Sequence, residues 1–271
     1  MVHETEVHPD TSDATPVLLV HSVNAAASSY EMKPLFQRLE RNRHTVSLDL
    51  PGFGHSDRAD RTYTPELMSD AIGSVLDTFD KPVHVIALSL GAEFAARSAR
   101  LRPDRVESLT LISPTGFGSK RMINQREPGI ADRILDNSLV GQGVLDLLAT
   151  DMSIRYFLDK SFAGDPDPGL VAYASLTAHQ RGAQHAPVDF LLGNLFTPDA
   201  LDRLYEPLLV PTLVLYDKDP YTDFAHLPEF VSQGNGRRFA RRIPGTHGLP
   251  HFEQTTATVD AIESFWKDID G

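Results

Sequence analysis

A serine, an aspartate and a histidine in this sequence stand where they could carry out nucleophilic catalysis. Ser89 follows an apolar run that ends at Leu88, and Asp219 and His247 follow later strand-like runs. A histidine that accepts the proton of a serine hydroxyl turns the oxygen into a nucleophile, and an aspartate that orients the imidazole completes the arrangement. The three residue types therefore predict attack on a carbonyl carbon.

The residues around Ser89 predict a buried strand, a tight turn and a helix. The run VHVIAL at 83–88 is apolar and rich in β-branched residues, which is typical of a covered parallel strand. The segment LGAEFAARSARL at 90–101 is rich in good helix formers. Small residues, Ala87 and Gly91, stand two positions to either side of Ser89. They suit a strained serine backbone and a helix that turns back closely over the strand.

Strand and helix signals alternate through most of the chain. This alternation, with short connections, predicts a parallel sheet wound with helices. Residues 1–15 are polar and leave room for one short edge strand at most. The other predicted strands are Thr15–His21, His44–Leu50, Val106–Ile112, Leu213–Tyr216 and Arg237–Ile243, and the predicted helices begin near Ser29 and span Thr64–Phe79 and Thr256–Trp266.

The alternation stops at residues 117–197, where strand signals are scarce. Breakers such as GDPDPG at 164–169 separate short helical segments there. We therefore expect a core formed by residues 1–116 and 198–271, with 117–197 as a helical insertion. The helices predicted in the insertion lie around Ile130–Leu139, Val144–Ala149, Ile154–Ser161, Leu170–Gln180 and Val188–Leu195.

The serine turn resembles the nucleophile elbow of the α/β-hydrolase family, in which Ser, Asp and His follow one another in this chain order. The segment DLPGFGHSD at 49–57 and the Pro-His-x-Glu run that follows His247 resemble two further family segments. The resemblance implies an α/β fold, with a mostly parallel central sheet flanked by helices. It also implies that the insertion is a helical cap that lines the substrate site and excludes water.

The resemblance assigns roles to particular residues. Ser89 would be the nucleophile, His247 the base and Asp219 the acid. Backbone N–H groups of Leu90 and of Val23 or Asn24 would form the oxyanion hole. The Asn24 amide would serve either as a donor or as a turn former bonded to its own loop.

Other residues compete with these assignments or could modulate them. His251 is an alternative to His247, because Gly248 and Leu249 stand between His247 and the following proline, where the family commonly has one residue. Asp217 and Asp223 are rivals of Asp219. Glu93, in the first turn of the elbow helix, would either complement the helix dipole or perturb the site.

Composition excludes several classes of function. The formal charge of −12 disfavours nucleic acid and anionic membranes as partners. The absence of cysteine excludes disulfides, thiolate metal sites and a cysteine nucleophile. We see neither a signal peptide nor a long apolar run, so we expect a cytoplasmic protein.

The expected function is a serine hydrolase that needs no cofactor or metal. It would cleave a small, largely apolar ester or thioester, bound under the cap, through an acyl-enzyme. A serine at the elbow argues against the haloalkane dehalogenase and epoxide hydrolase branches, which need a carboxylate nucleophile. The same triad also suits a carbon–carbon bond hydrolase or a perhydrolase. A ligand-binding protein without activity stays open as well, because the chain departs from the family pattern at Ser22, Ala87, Ala92, Tyr216 and around His247.

Overall fold

The computed structural model describes residues 1–4, 14–119 and 150–270. Within these residues, seven strands form one sheet in the order β1-β3-β2-β4-β5-β6-β7. Strand β1 pairs antiparallel with β3, and every other pairing is parallel. The strands are β1 (Val2–Glu4), β2 (Val17–Val20), β3 (Thr45–Leu48), β4 (Val83–Leu88), β5 (Val106–Ile112), β6 (Thr212–Tyr216) and β7 (Arg238–Arg242).

Helices cover both faces of this sheet. Short 3₁₀ turns lie at Ser29–Met32 and Pro103–Arg105, and a π-helical turn spans Leu201–Tyr205. The α-helices of the described residues are α1 (Lys33–Leu39), α2 (Pro65–Leu76), α3 (Gly91–Leu101), α4 (Asp151–Ser161), α5 (Pro168–Ala178), α6 (His185–Leu191), α7 (Leu227–Ser232), α8 (Pro250–Glu253) and α9 (Thr255–Asp270).

The side chains of β2 show how the two faces are filled. Leu18 and Val20 belong to a hydrophobic cluster that includes residues of α2 and α3. Val17 and Leu19 belong to a second cluster with residues of α1 and α9. Successive strand residues point to opposite faces, so a strand covered on both sides must be apolar throughout. This explains the unbroken apolar runs in the sequence.

The expected fold class is confirmed: the sheet is mostly parallel and flanked by helices. The predicted strand Val106–Ile112 has the predicted bounds, and the polar N-terminus contributes one short edge strand, Val2–Glu4. Strand β7 is an edge strand, which suits its arginines. The last helix is longer than predicted, and α7 is an addition.

The insertion is described only in part. Helices α4, α5 and α6 correspond to three predicted helices, with bounds that differ by a few residues. The helices predicted at Ile130–Leu139 and Val144–Ala149 lie outside the described residues. The division into core and cap stays a prediction. In the described part of the chain, no helix combines the length and the apolar character needed to cross a membrane.

Candidate active site

Ser89 occupies a strained turn between β4 and α3. Its φ is 51°, in the left-handed region that a residue with a Cβ rarely adopts. The Ser89 N–H donates to the Ile112 carbonyl of neighbouring β5 over 2.9 Å, so the turn is attached to the sheet. The half-buried Ser89 hydroxyl has no hydrogen-bond partner among the described residues. Strain of this kind is typical of functional sites.

Gly91 shows how closely the elbow approaches the loop after β2. A Cβ on Gly91 would lie 2.1 Å from the carbonyl oxygen of His21. Only glycine fits such a backbone approach. The contact places the loop of residues 21–24 directly against the start of α3, which is the neighbourhood that an oxyanion hole requires.

Unpartnered N–H groups lie in this neighbourhood. Across residues 14–119 and the other described ranges, the backbone N–H groups of Leu90, Val23 and Asn24 donate to no acceptor. Leu90 is 1% exposed and Val23 is 4% exposed. Because buried backbone N–H groups almost always find an acceptor, these two stand out among the described residues and are candidates for binding an oxygen of a ligand.

The side chain of Asn24 is engaged within its own loop. Its Nδ2 donates to Glu31 Oε1 over 2.8 Å and to Ser22 Oγ over 3.1 Å. Its Oδ1 accepts from the Ala26 N–H over 2.8 Å. Of the two roles expected for this amide, the observed contacts fit the turn former, and only the backbone N–H of Asn24 is left as a donor.

Asp219 caps the turn that follows β6. Its Oδ1 accepts from the N–H groups of Tyr221 and Thr222, over 2.7 and 3.2 Å. Its Oδ2 points towards the loop after β7, where a Cβ on Gly248 would lie 3.2 Å away. Burial raises the pKa of Asp219, and the two N–H donors and nearby His247 oppose that shift. Asp219 and His247 are therefore electrostatic neighbours.

Asp217 has a different set of contacts. It binds Arg242 Nε over 2.5 Å and accepts from the N–H groups of Gly245 and Thr246, over 2.7 and 3.1 Å. Burial would raise the pKa of Asp217, but these donors prevail and lower it. The carboxylate thus joins the end of β6 to the loop after β7, which is a structural arrangement.

His247 is held by its backbone rather than by its ring. Its N–H donates to Glu253 Oε2 over 2.7 Å, and Glu253 Oε1 accepts from the N–H of Ala163 over 2.6 Å. Among the described residues, no hydrogen bond joins the half-buried imidazole to Ser89 or to Asp219. The structure therefore brings His247 close to Asp219 without forming the bonds of a triad.

The ring of His251 forms its hydrogen bond with the backbone of Glu31 and not with Ser89. It is fully buried, and its Nε2 donates to the carbonyl of Glu31 over 2.7 Å. Burial lowers the pKa of His251 to about 4, so the ring is neutral near pH 7. These contacts connect α8 to the 3₁₀ turn before α1.

Glu93 connects the elbow helix to Thr115, which follows β5, and to Thr197. It is 2% exposed, and it accepts hydrogen bonds from the Thr115 hydroxyl and, over 2.7 Å, from the Thr197 N–H. Burial raises the pKa of Glu93 to about 7, against the opposing effect of these bonds and of Arg97. Glu93 is therefore a buried carboxyl group that holds Thr115 and Thr197 against the elbow helix.

Two functional-site neighbours, Glu31 and Glu253, were not predicted from the sequence. Glu253 belongs to the Pro-His-x-Glu run, so a motif was present. Glu31 has no local signal, because its partners are defined only by the folded loop. No group of three histidine, aspartate or glutamate side chains in the described ranges is placed to hold a metal ion.

Residues 17–261 match the model of a protein family described as the alpha/beta hydrolase family. This chain belongs to the alpha/beta hydrolase family. Its membership rests on nearly the whole described core and agrees with the resemblance seen in the sequence.

Several characterised proteins resemble parts of this family member. An acetyltransferase component of an acetoin-cleaving system from Pseudomonas putida is 33% identical over 107 residues, which are 38% of this chain and 28% of that protein. The human (lyso)-N-acylphosphatidylethanolamine lipase is 29% identical over 116 residues, 41% of this chain and 33% of the lipase. A pimeloyl-[acyl-carrier protein] methyl ester esterase from Methylococcus capsulatus is 41% identical over 69 residues, 25% of each. Each match thus spans about a third or less of the relative.

Solved structures match over much longer stretches at low identity. A serine hydrolase of carbazole degradation has a TM-score of 0.74 at 17% identity and covers 94% of this chain and 91% of its own. Cfl2 from Burkholderia cenocepacia has a TM-score of 0.75 at 20% identity, over 97% and 90%. At these identities the likeness establishes the fold.

Proposed function

We propose that this protein is a hydrolase in which Ser89 attacks the carbonyl carbon of a small, largely apolar ester or thioester. One observation carries the proposal: within the described residues, the strained Ser89 has an unpartnered hydroxyl, and two N–H groups have no acceptor, that of Leu90, next in the chain, and that of Val23, in the loop that packs against Gly91. A nucleophile next to two unused donors is the arrangement that acyl transfer needs.

The reaction follows from these positions. The Ser89 oxygen forms a bond to the carbonyl carbon, and negative charge develops on the carbonyl oxygen. The N–H groups of Leu90 and Val23 stabilise that oxyanion, at about 3 kcal/mol per donor in comparable sites. The alcohol or thiol then leaves with a proton, and water releases the acyl group from Ser89.

His247 is proposed as the base and Asp219 as the group that orients it. Two observations support this pairing: the Oδ2 of Asp219 has no hydrogen bond within the described residues, and His247 is its electrostatic neighbour. The imidazole takes the serine proton, returns it to the leaving group and then activates water. Catalytic hydrogen bonds are often long or absent without substrate and tighten in the complex. The proposal therefore includes a reorientation of the His247 ring when substrate binds.

Ester chemistry is supported by two of the partial relatives. The lipase and the methyl ester esterase carry names that describe ester hydrolysis. The proposed cap, 117–197, would close over an apolar acyl group and keep water from the acyl-enzyme.

A fluorophosphonate probe tests the nucleophile directly. We expect the protein to gain one phosphonyl group, located on the Ser89 peptide by mass spectrometry, and Ser89→Ala to stay unlabelled. Ser113→Ala is the matched control, because Ser113 follows β5 with a φ of 44° and is also a strained strand-end serine. Labelling of Ser113 or of neither serine in a folded protein would contradict the proposal.

A substrate panel then separates the chemistries that the same residues could support. We expect p-nitrophenyl esters and acyl thioesters to turn over with Ser89-dependent rates. Turnover of a vinylogous diketone alone would favour carbon–carbon bond hydrolysis instead, and Ser89-dependent oxidation with acetate and peroxide alone would favour perhydrolysis.

The second candidate function is ligand binding without catalysis. It is favoured by the absence of hydrogen bonds from His247 to Ser89 and Asp219 in the described residues. It predicts that the folded protein resists the fluorophosphonate probe and that apolar carboxylic esters raise its melting temperature without being consumed. Consumption of any such ester with loss in Ser89→Ala excludes this candidate.

A further inference from the structure

We propose that Glu31 is a positioning residue of the oxyanion hole, which acts by holding the loop of residues 22–24. The inference rests on the proposed function, because it concerns the donor that would stabilise the oxyanion. The family resemblance described above gives this glutamate no role.

The carboxylate of Glu31 grips the loop at two points. Its Oε2 accepts from the Ser22 N–H over 2.8 Å, and its Oε1 accepts from Asn24 Nδ2 over 2.8 Å. The side chain of Asn24 also donates to Ser22 Oγ over 3.1 Å. Glu31 is only 4% exposed, so these contacts form away from water, where hydrogen bonds to a carboxylate are strong.

Glu31 is itself held by the surrounding backbone. It lies in the 3₁₀ turn Ser29–Met32, and its N–H donates to the Ser28 carbonyl over 3.0 Å. Its own carbonyl accepts from His251 Nε2 over 2.7 Å. The turn is held further by Asp49, whose Oδ1 accepts from the Ser29 N–H over 2.8 Å. A carboxylate on a support of this kind can define the position of a loop.

Val23 lies between the two points that Glu31 holds. Its N–H has no acceptor among the described residues, and the same loop contacts Gly91 at the start of α3. Fixing Ser22 and Asn24 therefore fixes the peptide plane that points the Val23 N–H. The position of Ser22 makes this support necessary, because a Cβ restricts the backbone where the family usually has glycine.

Glu31 could affect acylation of Ser89 in two opposite ways, through its charge and through the position of the loop, and variants can separate them. A negative charge close to a developing oxyanion opposes catalysis by Coulomb repulsion, whereas a well-placed donor favours it. If positioning prevails, moving the carboxylate must slow acylation even when its charge is kept. If only the charge matters, removing it must speed acylation.

The experiment measures the rate of fluorophosphonate labelling of Ser89, and kcat and KM for a p-nitrophenyl ester. Glu31→Gln leaves one acceptor for two donors, and Glu31→Asp keeps the charge but shortens the reach by one methylene. We expect both variants to acylate Ser89 at least about 10-fold more slowly, with KM within about 2-fold, because misplaced catalytic groups act on kcat. Glu40→Gln, at the end of α1, is the control and should behave as the wild type.

The outcomes distinguish this inference from the proposed function. Wild-type protein that is not labelled overturns the proposed function and the inference with it. Labelled wild type together with wild-type rates in folded Glu31→Gln and Glu31→Asp overturns the inference alone, as does faster labelling of Glu31→Gln. If either variant fails to fold by circular dichroism, Asn24→Ala replaces it, since it removes one of the two contacts and should slow acylation several-fold.

Discussion

The two halves of the candidate site differ in how firmly their atoms are held. In the elbow half, Ser89 is constrained by its backbone conformation and by a hydrogen bond to β5, and Gly91 touches the His21 carbonyl. In the acid–base half, Asp219 bonds its own turn, and the His247 ring bonds neither Asp219 nor Ser89 in the described residues. Ser89, the proposed nucleophile, is thus held in a defined position, while Asp219 and His247, the proposed proton-transfer groups, are only brought near one another.

The difference follows from distance to the sheet. Ser89 comes directly after β4, which has a parallel neighbour on each side. Asp219 is the third residue after β6, and His247 is the fifth after β7, which is an edge strand. Strand pairing determines backbone position at a strand end, and its influence falls as the loop lengthens. We therefore expect substrate binding to move residues of the acid–base half more than those of the elbow half.

Substitution of the two aspartates is expected to give the largest effects. We expect Asp219→Asn to lower kcat by about 10³-fold, because an oriented imidazole is lost, with little change in unfolding free energy. We expect Asp217→Asn to lower the unfolding free energy by about 2 kcal/mol, because it weakens bonds to Arg242, Gly245 and Thr246, with kcat nearly unchanged. Urea unfolding and steady-state kinetics on both variants check the pattern, and the reverse pattern would assign the acid to Asp217.

The rigidity of the elbow half is tested at Gly91. We expect Gly91→Ala to lower the unfolding free energy by at least about 3 kcal/mol, because the new Cβ would meet the His21 carbonyl, 2.1 Å away, and backbone cannot easily yield. Gly164→Ala is the matched control, since nothing lies within 4 Å of its Cβ position. Equal stability of the two variants in urea would show that the loop after β2 is not tightly packed on α3.

Glu93, in the elbow helix, is tested by the pH dependence of the unfolding free energy. As pH rises from about 4.5, the unfolded state ionises while folded Glu93, with a pKa of about 7, stays protonated. The contribution of Glu93 to the unfolding free energy therefore falls between about pH 4.5 and about pH 7 and is constant at higher pH. We expect Glu93→Gln to be about as stable as the wild type at pH 4.5 and about 3 kcal/mol more stable at pH 8.

The amide of that variant can still satisfy both neighbours, because its oxygen can accept from the Thr197 N–H and its nitrogen can donate to the Thr115 hydroxyl. Exposed Glu107 on β5 offers the control, and Glu107→Gln should follow the wild-type pH curve. Parallel curves for wild type and Glu93→Gln would mean that the pKa of Glu93 is the same in the folded and the unfolded protein.

The smallest effect is expected from substitution of Glu253, which tests how firmly the backbone of His247 is held. Glu253→Gln keeps one acceptor for the N–H groups of His247 and Ala163. Losing about 1 kcal/mol of hydrogen bonding should lower kcat about 5-fold and speed amide exchange at residues 245–250. Glu107→Gln again serves as the reference. A loss as large as that of Asp219→Asn would mean that this half is rigid after all.

Much of the fold could be predicted because its signals are local. The apolar runs at β4 and β5 and the alanine-rich α3 identify themselves within ten or so residues. The position of Ser89 follows from the β4 run, and that of Asp219, three residues after β6, from the apolar run of that strand. Helix bounds in the insertion were less accurate, and α7 was not predicted, because short helices depend on tertiary packing more than on propensity.

The contacts around the site could not be predicted in this way. Nothing near Glu31 in the sequence indicates that its carboxylate would bind Ser22 and Asn24, or that its carbonyl would meet His251, 220 residues away. Asn24 was left between two roles for the same reason. A side-chain hydrogen bond depends on where a distant backbone lies, and local periodicity contains no information on that.

The family resemblance, the strand–turn–helix around Ser89 and the chain order of Ser89, Asp219 and His247 could be read from the sequence alone, because these depend on side-chain periodicity and on where small residues stand. The folded chain was needed to see which carboxylate faces which loop: Asp217 to Arg242, Asp219 towards Gly248, Glu31 to Ser22 and Glu93 to Thr197. Burial explains this, since a carboxyl group removed from water must take the hydrogen-bond donors that the fold places beside it.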